Sequence, residues 1–212
     1  SYWQGGTTDS WWGTVYATHF LFEAQKAGFE VDKPFMDKLY RYLKNQVRRN
    51  RFEDYQYYDA DGKLQMKKII PRESVYSLYV LALTGQPEVA AMNSYKKTPE
   101  SLSLDAKYML AAAYMLASDK ASYQQLLPPA FIGEKAVSSF GGSFYSYIRD
   151  QAIALNTLLE VDADNPQIGI MAKQLSEQLK RKKWLNTQER AFSLLALGKL
   201  AQKANNSTVQ VR

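Results

Sequence analysis

The chain has 212 residues, with 27 Lys+Arg against 21 Asp+Glu and a single histidine, a formal charge of +6. Apolar residues make up 46% and there are only 7 Pro and 11 Gly, which excludes disordered, collagen-like and low-complexity classes and leaves one folded domain as the expectation. With no cysteine, the chain itself can supply no disulfide, thiolate metal site, cysteine nucleophile or internal thioester.

Five segments begin on or near an acid and run into an apolar stretch rich in small residues. They start at Asp9 (DSWWGTVYATHFLFEAQKAG), Glu73 (ESVYSLYVLALTG), Asp105 (DAKYMLAAAYMLAS), Asp150 (DQAIALNTLLEV) and Glu189 (ERAFSLLALGKLAQK). None carries the broad polar stripe of a surface helix, so they read as inner helices covered on most sides. Between them, Pro34 to Asn50, Pro87 to Tyr95, Asp119 to Leu127 and Pro166 to Lys183 are more polar with helical periodicity, three of them opening beside a proline. Inner and outer helices alternating at such intervals predict an all-α chain of stacked helical hairpins, an open solenoid or a closed α/α toroid. The expected organisation is a partial ring of about four to five hairpins over residues 1–204, with 205–212 starting a connection onward.

Two connections are longer. Arg51 to Pro71 carries a turn signal at Asp61-Gly62 and alternating aromatics, and reads as an irregular loop or a small hairpin. Pro128 to Arg149 has Pro-Pro and Gly-Gly breakers with a cluster of Phe and Tyr. In helical repeats such insertions gather on one face, often the binding face.

The basic runs, Lys44 to Arg51 and Lys180 to Lys183, fall at helix ends, where cations complement exposed carbonyls, so no nucleic-acid partner is expected. The longest apolar run, Met109 to Ala117, is short against the roughly 20 residues that a bilayer requires, so no membrane insertion is expected. The first thirty residues contain no secretory core, and the tandem sequon Asn205 to Thr208 carries little weight alone. His19, on one stripe with Trp12 and Tyr16, is expected to be a hydrogen-bonded core histidine rather than a ligand, and no metal or cofactor is expected.

The five acids would ring one end of a barrel of parallel inner helices. Two readings follow. Two of the acids could act as general acid and base in a toroidal glycoside hydrolase or polysaccharide lyase. Alternatively, each stabilises its own helix through the macrodipole and faces water, leaving no catalytic residue. Trp3, Trp11 and Trp12 with Tyr55, Tyr57 and Tyr58 could form a stacking platform or peptide groove, although Trp12 fits a core position. The candidate binding face is accordingly Asp9, Trp11, Tyr57, Tyr58, Glu73, Asp105, Asp150 and Glu189.

The stretch IRDQAIALNTLLEVDADNPQIGIMAKQLSEQLKRKKWLNTQERAFSLLALGKL, Ile148 to Leu200, resembles the thioester-domain region of bacterial α2-macroglobulin-like proteins. That family has an R-D-x-A-x-x-L helix, an outer helix ending in a basic run, and then W-x-[ST]-T-Q-[ED]-x-A-x-A-L-x-A-L. Here the closing motif runs from Trp184 through Thr187, Gln188 and Glu189, with Asn186 where the family has Ser or Thr. The run from Ser10 to Leu21 looks like the family's third inner helix, and Ser207 to Val211 is similar to the start of the following β-domain.

The resemblance implies an α/α toroid in a large, envelope-associated or extracellular protein that traps proteases after cleavage of a bait region. Its partners would be proteases and the neighbouring domains of the same chain. In thioester-bearing members a Cys-x-Glu-Gln motif captures the protease. By the family order that motif, with the first one or two hairpins, would lie upstream of Ser1. The connection Asp59 to Pro71 has no histidine where some relatives carry one to activate the acyl group.

Overall fold

In the computed structural model, residues 10–58, 61–132, 139–140, 143–144 and 146–206 are described. Asp9, Trp3 and Ser207 to Arg212 lie outside them. The helices are α1 (Trp11–Lys26), α2 (Lys33–Val47), α3 (Arg72–Leu83), α4 (Val89–Lys96), α5 (Leu104–Leu116), α6 (Lys120–Leu126), α7 (Tyr147–Val161), α8 (Gln167–Arg181) and α9 (Thr187–Asn206). The strands are β1 (Glu53–Tyr58), β2 (Leu64–Ile69), and the two-residue bridge β3 (Ser139–Phe140) with β4 (Ser143–Phe144).

The odd-numbered helices form an inner layer, each packed on the next from α1 through α3, α5 and α7 to α9. The even-numbered helices lie outside, on their hairpin partners. This is the α/α toroid architecture, four hairpins plus a fifth inner helix. Burial explains the division. Every residue of α3 from Arg72 to Ala82 is buried, as is most of α5 from Asp105 to Tyr114, where Ala111 to Ala113 let neighbouring backbones approach. The outer α2 and α8 bury only Met36, Leu43 and Val47, and Ile168, Met171, Ala172 and Leu175, which is one stripe of each.

Local chemistry sets the ends. Ser10, Asp32, Asp119 and Ser146 accept backbone N–H bonds three residues on, capping α1, α2, α6 and α7. At the ends of α1 and α3, Gly28 and Gly85 take positive φ, and the following residues bond back to Ala24 and Leu81, closing each helix. The inner helices start at slightly different points from the acids that mark them in sequence. Asp150 is the fourth residue of α7, whereas Glu73 and Asp105 are the second residues of α3 and α5. α9 continues to Asn206, two residues past the expected boundary at 204.

The Arg51 to Pro71 connection is a hairpin rather than an irregular loop. β1 and β2 pair antiparallel from Glu53↔Ile69 to Tyr58↔Leu64, around the expected turn, where Gly62 has φ +75°. Within the Pro128 to Arg149 connection, residues 133–138, 141–142 and 145 lie outside the described residues.

Candidate functional site

The inner helices bring their N-terminal ends together, and the four described acids, Glu73, Asp105, Asp150 and Glu189, converge there. They do not face water. Arg72 and Arg149, at the starts of α3 and α7, are fully buried with them. The Arg72 Nε donates to Asp105 Oδ1 at 3.2 Å and to Ser103 Oγ at 3.3 Å, and its Nη2 donates to Asp150 Oδ2 at 2.8 Å. Arg149 holds the other Asp150 oxygen through Nε at 2.8 Å, and its Nη1 reaches Gln188 Oε1 at 3.0 Å. One chain of charge-assisted bonds therefore ties α5 to α3, α3 to α7 and α7 to α9.

Glu189 has a different role. Its carboxylate accepts the Asn186 N–H at 3.0 Å while the Glu189 N–H bonds to the Asn186 side chain at 2.9 Å, a capping box that opens α9. Its Oε1 also accepts from Lys182 at 2.7 Å and from Ser146. Burial opposes its charge, but these bonds hold its carboxyl below the usual range.

The expectation that these acids face water is thus corrected for all four described acids, although Glu189 does cap its own helix. Burial is tolerated because Arg72, from α3, reaches the aspartates of α5 and α7, and Arg149 holds its own neighbour Asp150. Those arginines were the residues that sequence reasoning missed. Their signal was present in the Arg72-Glu73 and Arg149-Asp150 dipeptides at inner-helix starts.

Burial pushes Glu73 up to about 7, with Glu53 adding to the shift and Arg72 and Arg149 opposing it. Burial, with Asp105 beside it, also raises Asp150 to about 7 against the pull of the two arginines. Two raised carboxyls would suit acid–base chemistry if a substrate could reach them. Glu73 and Asp150 are each only 4% exposed, and both Asp150 oxygens are occupied by arginine. The reading as a glycoside hydrolase or lyase has no support. No group of three or more His, Cys, Asp or Glu suited to a metal occurs among the described residues.

The aromatic candidates divide. Trp12 is core, tilted on Tyr76 at 5.4 Å with the Arg149 guanidinium 5.6 Å from its ring. Trp11 is half-buried, donates to Ser77 Oγ at 2.9 Å and carries Arg51 5.7 Å over its ring. Tyr57 stacks on Tyr55 at 6.2 Å, and Tyr58 stands out from the hairpin.

A scan against protein-family models finds no match, and neither does a search of curated proteins. Solved structures do match. Salmonella α2-macroglobulin reacted with methylamine superposes with a TM-score of 0.75 at 19% identity, over 93% of this chain and 13% of that one. Native Escherichia coli α2-macroglobulin, from domain MG7 to the C-terminus, gives 0.75 at 20% identity, over 93% and 31%. The E. coli protein activated by porcine elastase gives 0.74 at 21%, over 94% and 18%. The chain shares its fold with the bacterial α2-macroglobulins. It spans less than a third of the length of each of these chains.

The toroid closes through side chains where α9 meets α1. Tyr16 and Phe192 meet edge-on at 5.6 Å beside a cavity of about 360 Å³ lined by Tyr16, His19, Tyr76, Phe192 and Leu195. His19 is the expected core histidine: its Nδ1 lies 2.8 Å from the Tyr76 hydroxyl and its Nε2 3.4 Å from Glu23. Burial lowers its pKa although Glu23 pulls upward, so the ring is neutral at pH 7.

Lys199 of α9 pairs with Glu23 of α1 and, at 2.8 Å, with Glu160 of α7, which also holds Lys26 at 2.7 Å. Burial works against the Glu23 charge, yet His19 and Lys199 bring its carboxyl down to about 2. A depressed carboxyl stabilises the fold above its ordinary value of 4.5, and that contribution is lost as pH falls toward 2. Lys199→Ala is expected to cost about 1–2 kcal/mol at pH 7, after allowance for solvent screening, and little at pH 2, where the Glu23 carboxyl itself takes up its proton. Urea unfolding at the two pH values checks this, and an equal loss at both would refute the assignment.

Proposed function

We propose that this chain is the toroid of an α2-macroglobulin-like protease trap, a non-enzymatic domain that works through conformational change and a protein interface. The observation that carries the reading is the superposition over more than nine tenths of the chain on bacterial α2-macroglobulins. The neighbours include a form reacted with methylamine and forms activated by trypsin or elastase, which supports proteases as partners.

The buried ion network adds to this support. It braces four inner helices at one end, so the toroid moves as a body when the domains around it rearrange. The contact face would be formed by Trp11, Tyr57 and Tyr58, with the buried Glu73, Asp105, Asp150 and Glu189 fixing the shape beneath it. The other partners are neighbouring domains of the same protein, and the cell envelope, periplasm or extracellular space is its place of work.

The test uses the full-length protein that carries this toroid. Limited cleavage by an added endoprotease is expected to change its shape by small-angle scattering and to leave the protease co-eluting with it. The absence of both the shape change and the retention would overturn the proposal. Methylamine treatment followed by mass spectrometry then distinguishes covalent from non-covalent capture, because opening a thioester adds mass and releases an alkylatable thiol.

A further inference from the structure

The turn between α8 and α9 combines two features that the trap reading does not use. Trp184 is 82% exposed, and the four residues before it, Lys180 to Lys183, are all cations and all exposed. Lys180 and Arg181 occupy the last turn of α8, where they complement its carbonyls, while Lys182 spends its charge on Glu189. Lys183 and the indole have no such internal role.

The turn is also held firmly. Leu185 packs against the core while the preceding Trp184 stands out into solvent, and the Asn186–Glu189 capping box pins the next residues. Along α8 the exposed face continues through Lys173 and Ile170, the latter 62% exposed.

We propose that this turn is a peripheral docking surface for an anionic lipid bilayer. An indole is amphipathic and settles at the boundary between headgroups and acyl chains, while flexible lysine stems reach the phosphates around it. Cations contiguous with the tryptophan, on a chain of net charge +6, supply the complementary charge. No described helix is long and apolar enough to cross a membrane.

Vesicle flotation of the purified chain tests the proposal, using phosphatidylcholine with about 30% phosphatidylglycerol against phosphatidylcholine alone. Binding to the anionic vesicles is expected, falling about tenfold in W184A and about a hundredfold in the K180E/R181E/K183E variant, roughly fivefold per cation lost. A charge-matched control, K33E/K38E/R41E on the exposed face of α2, is expected to bind like the parent chain. All substituted side chains are solvent-exposed, so thermal stability should fall only slightly, through the reversed charge at the end of α8, and binding is measured well below the transition, where a loss of binding is not a loss of fold.

Absence of binding to anionic vesicles would overturn the proposal, as would equal binding to phosphatidylcholine alone. Equal weakening by the α2 control would reduce the effect to net charge and overturn it too. Trp184-dependent binding to polyglutamate without binding to vesicles would make the occupant an acidic polypeptide and equally refute a lipid surface.

Discussion

Arg72→Met is expected to lower the free energy of unfolding by about 3–5 kcal/mol at pH 7, a large share of the 5–15 kcal/mol typical of a domain. Arg72 is fully buried and joins Asp105 on α5 to Asp150 on α7. Asp150 keeps Arg149 when Arg72 is lost, but Asp105 keeps only the Ser103 hydroxyl, so a carboxylate is left without a cation in the interior. The cost comes from that abandoned charge rather than from the intrinsic strength of the pair. A second substitution separates the two explanations. Adding Asp105→Asn removes the charge, and the double variant should recover about half of the loss, a coupling of roughly 1–3 kcal/mol in a double-mutant cycle. Urea denaturation followed by circular dichroism measures all four corners. A loss below about 1 kcal/mol for Arg72→Met, or strict additivity with Asp105→Asn, would mean that the network does not brace the inner ring.

The helices were legible because their signals are local. The Ala111 to Ala113 run and the absence of a polar stripe mark α5 as inner, and Pro34 and Pro166 mark the openings of outer helices. The Asp61-Gly62 turn was visible too, but its flanking aromatics did not decide between strand and loop. That choice depends on the cross-strand register from Glu53↔Ile69 to Tyr58↔Leu64, which is a property of the pair.

The site was half legible. An acid at the start of each of five apolar segments announced that one end of the ring would be acidic, and four of them are placed at that end. Their burial was not announced, because charged residues are ordinarily exposed and a pattern along one helix contains no record of its partner on another. Asp105 and Asp150 lie 33 and 78 residues from Arg72, and only folding makes them neighbours.

Glu73→Gln should stabilise the chain at pH 8 and leave it nearly unchanged at pH 4. The carboxyl is 4% exposed, and burial raises it from 4.5 to about 7, with Glu53 adding and Arg72 and Arg149 opposing. In the unfolded chain the group loses its proton near 4.5, whereas in the folded chain it keeps the proton until about 7. Between those values the folded state binds more protons, so stability falls as pH rises through the window and levels off above it. The full effect is about 3 kcal/mol, from roughly 1.4 kcal/mol for each pH unit of separation. Glutamine has nearly the same shape and no charge to bury, so the variant should gain about 2–3 kcal/mol at pH 8 and show a flatter profile from pH 5 to 8. Asp150→Asn makes a poorer probe of the same window, because it also gives up the carboxylate that both arginines hold. Thermal melts across that range decide the matter. Parallel profiles for the parent chain and Glu73→Gln would show that Glu73 is already ionised in the fold at neutral pH.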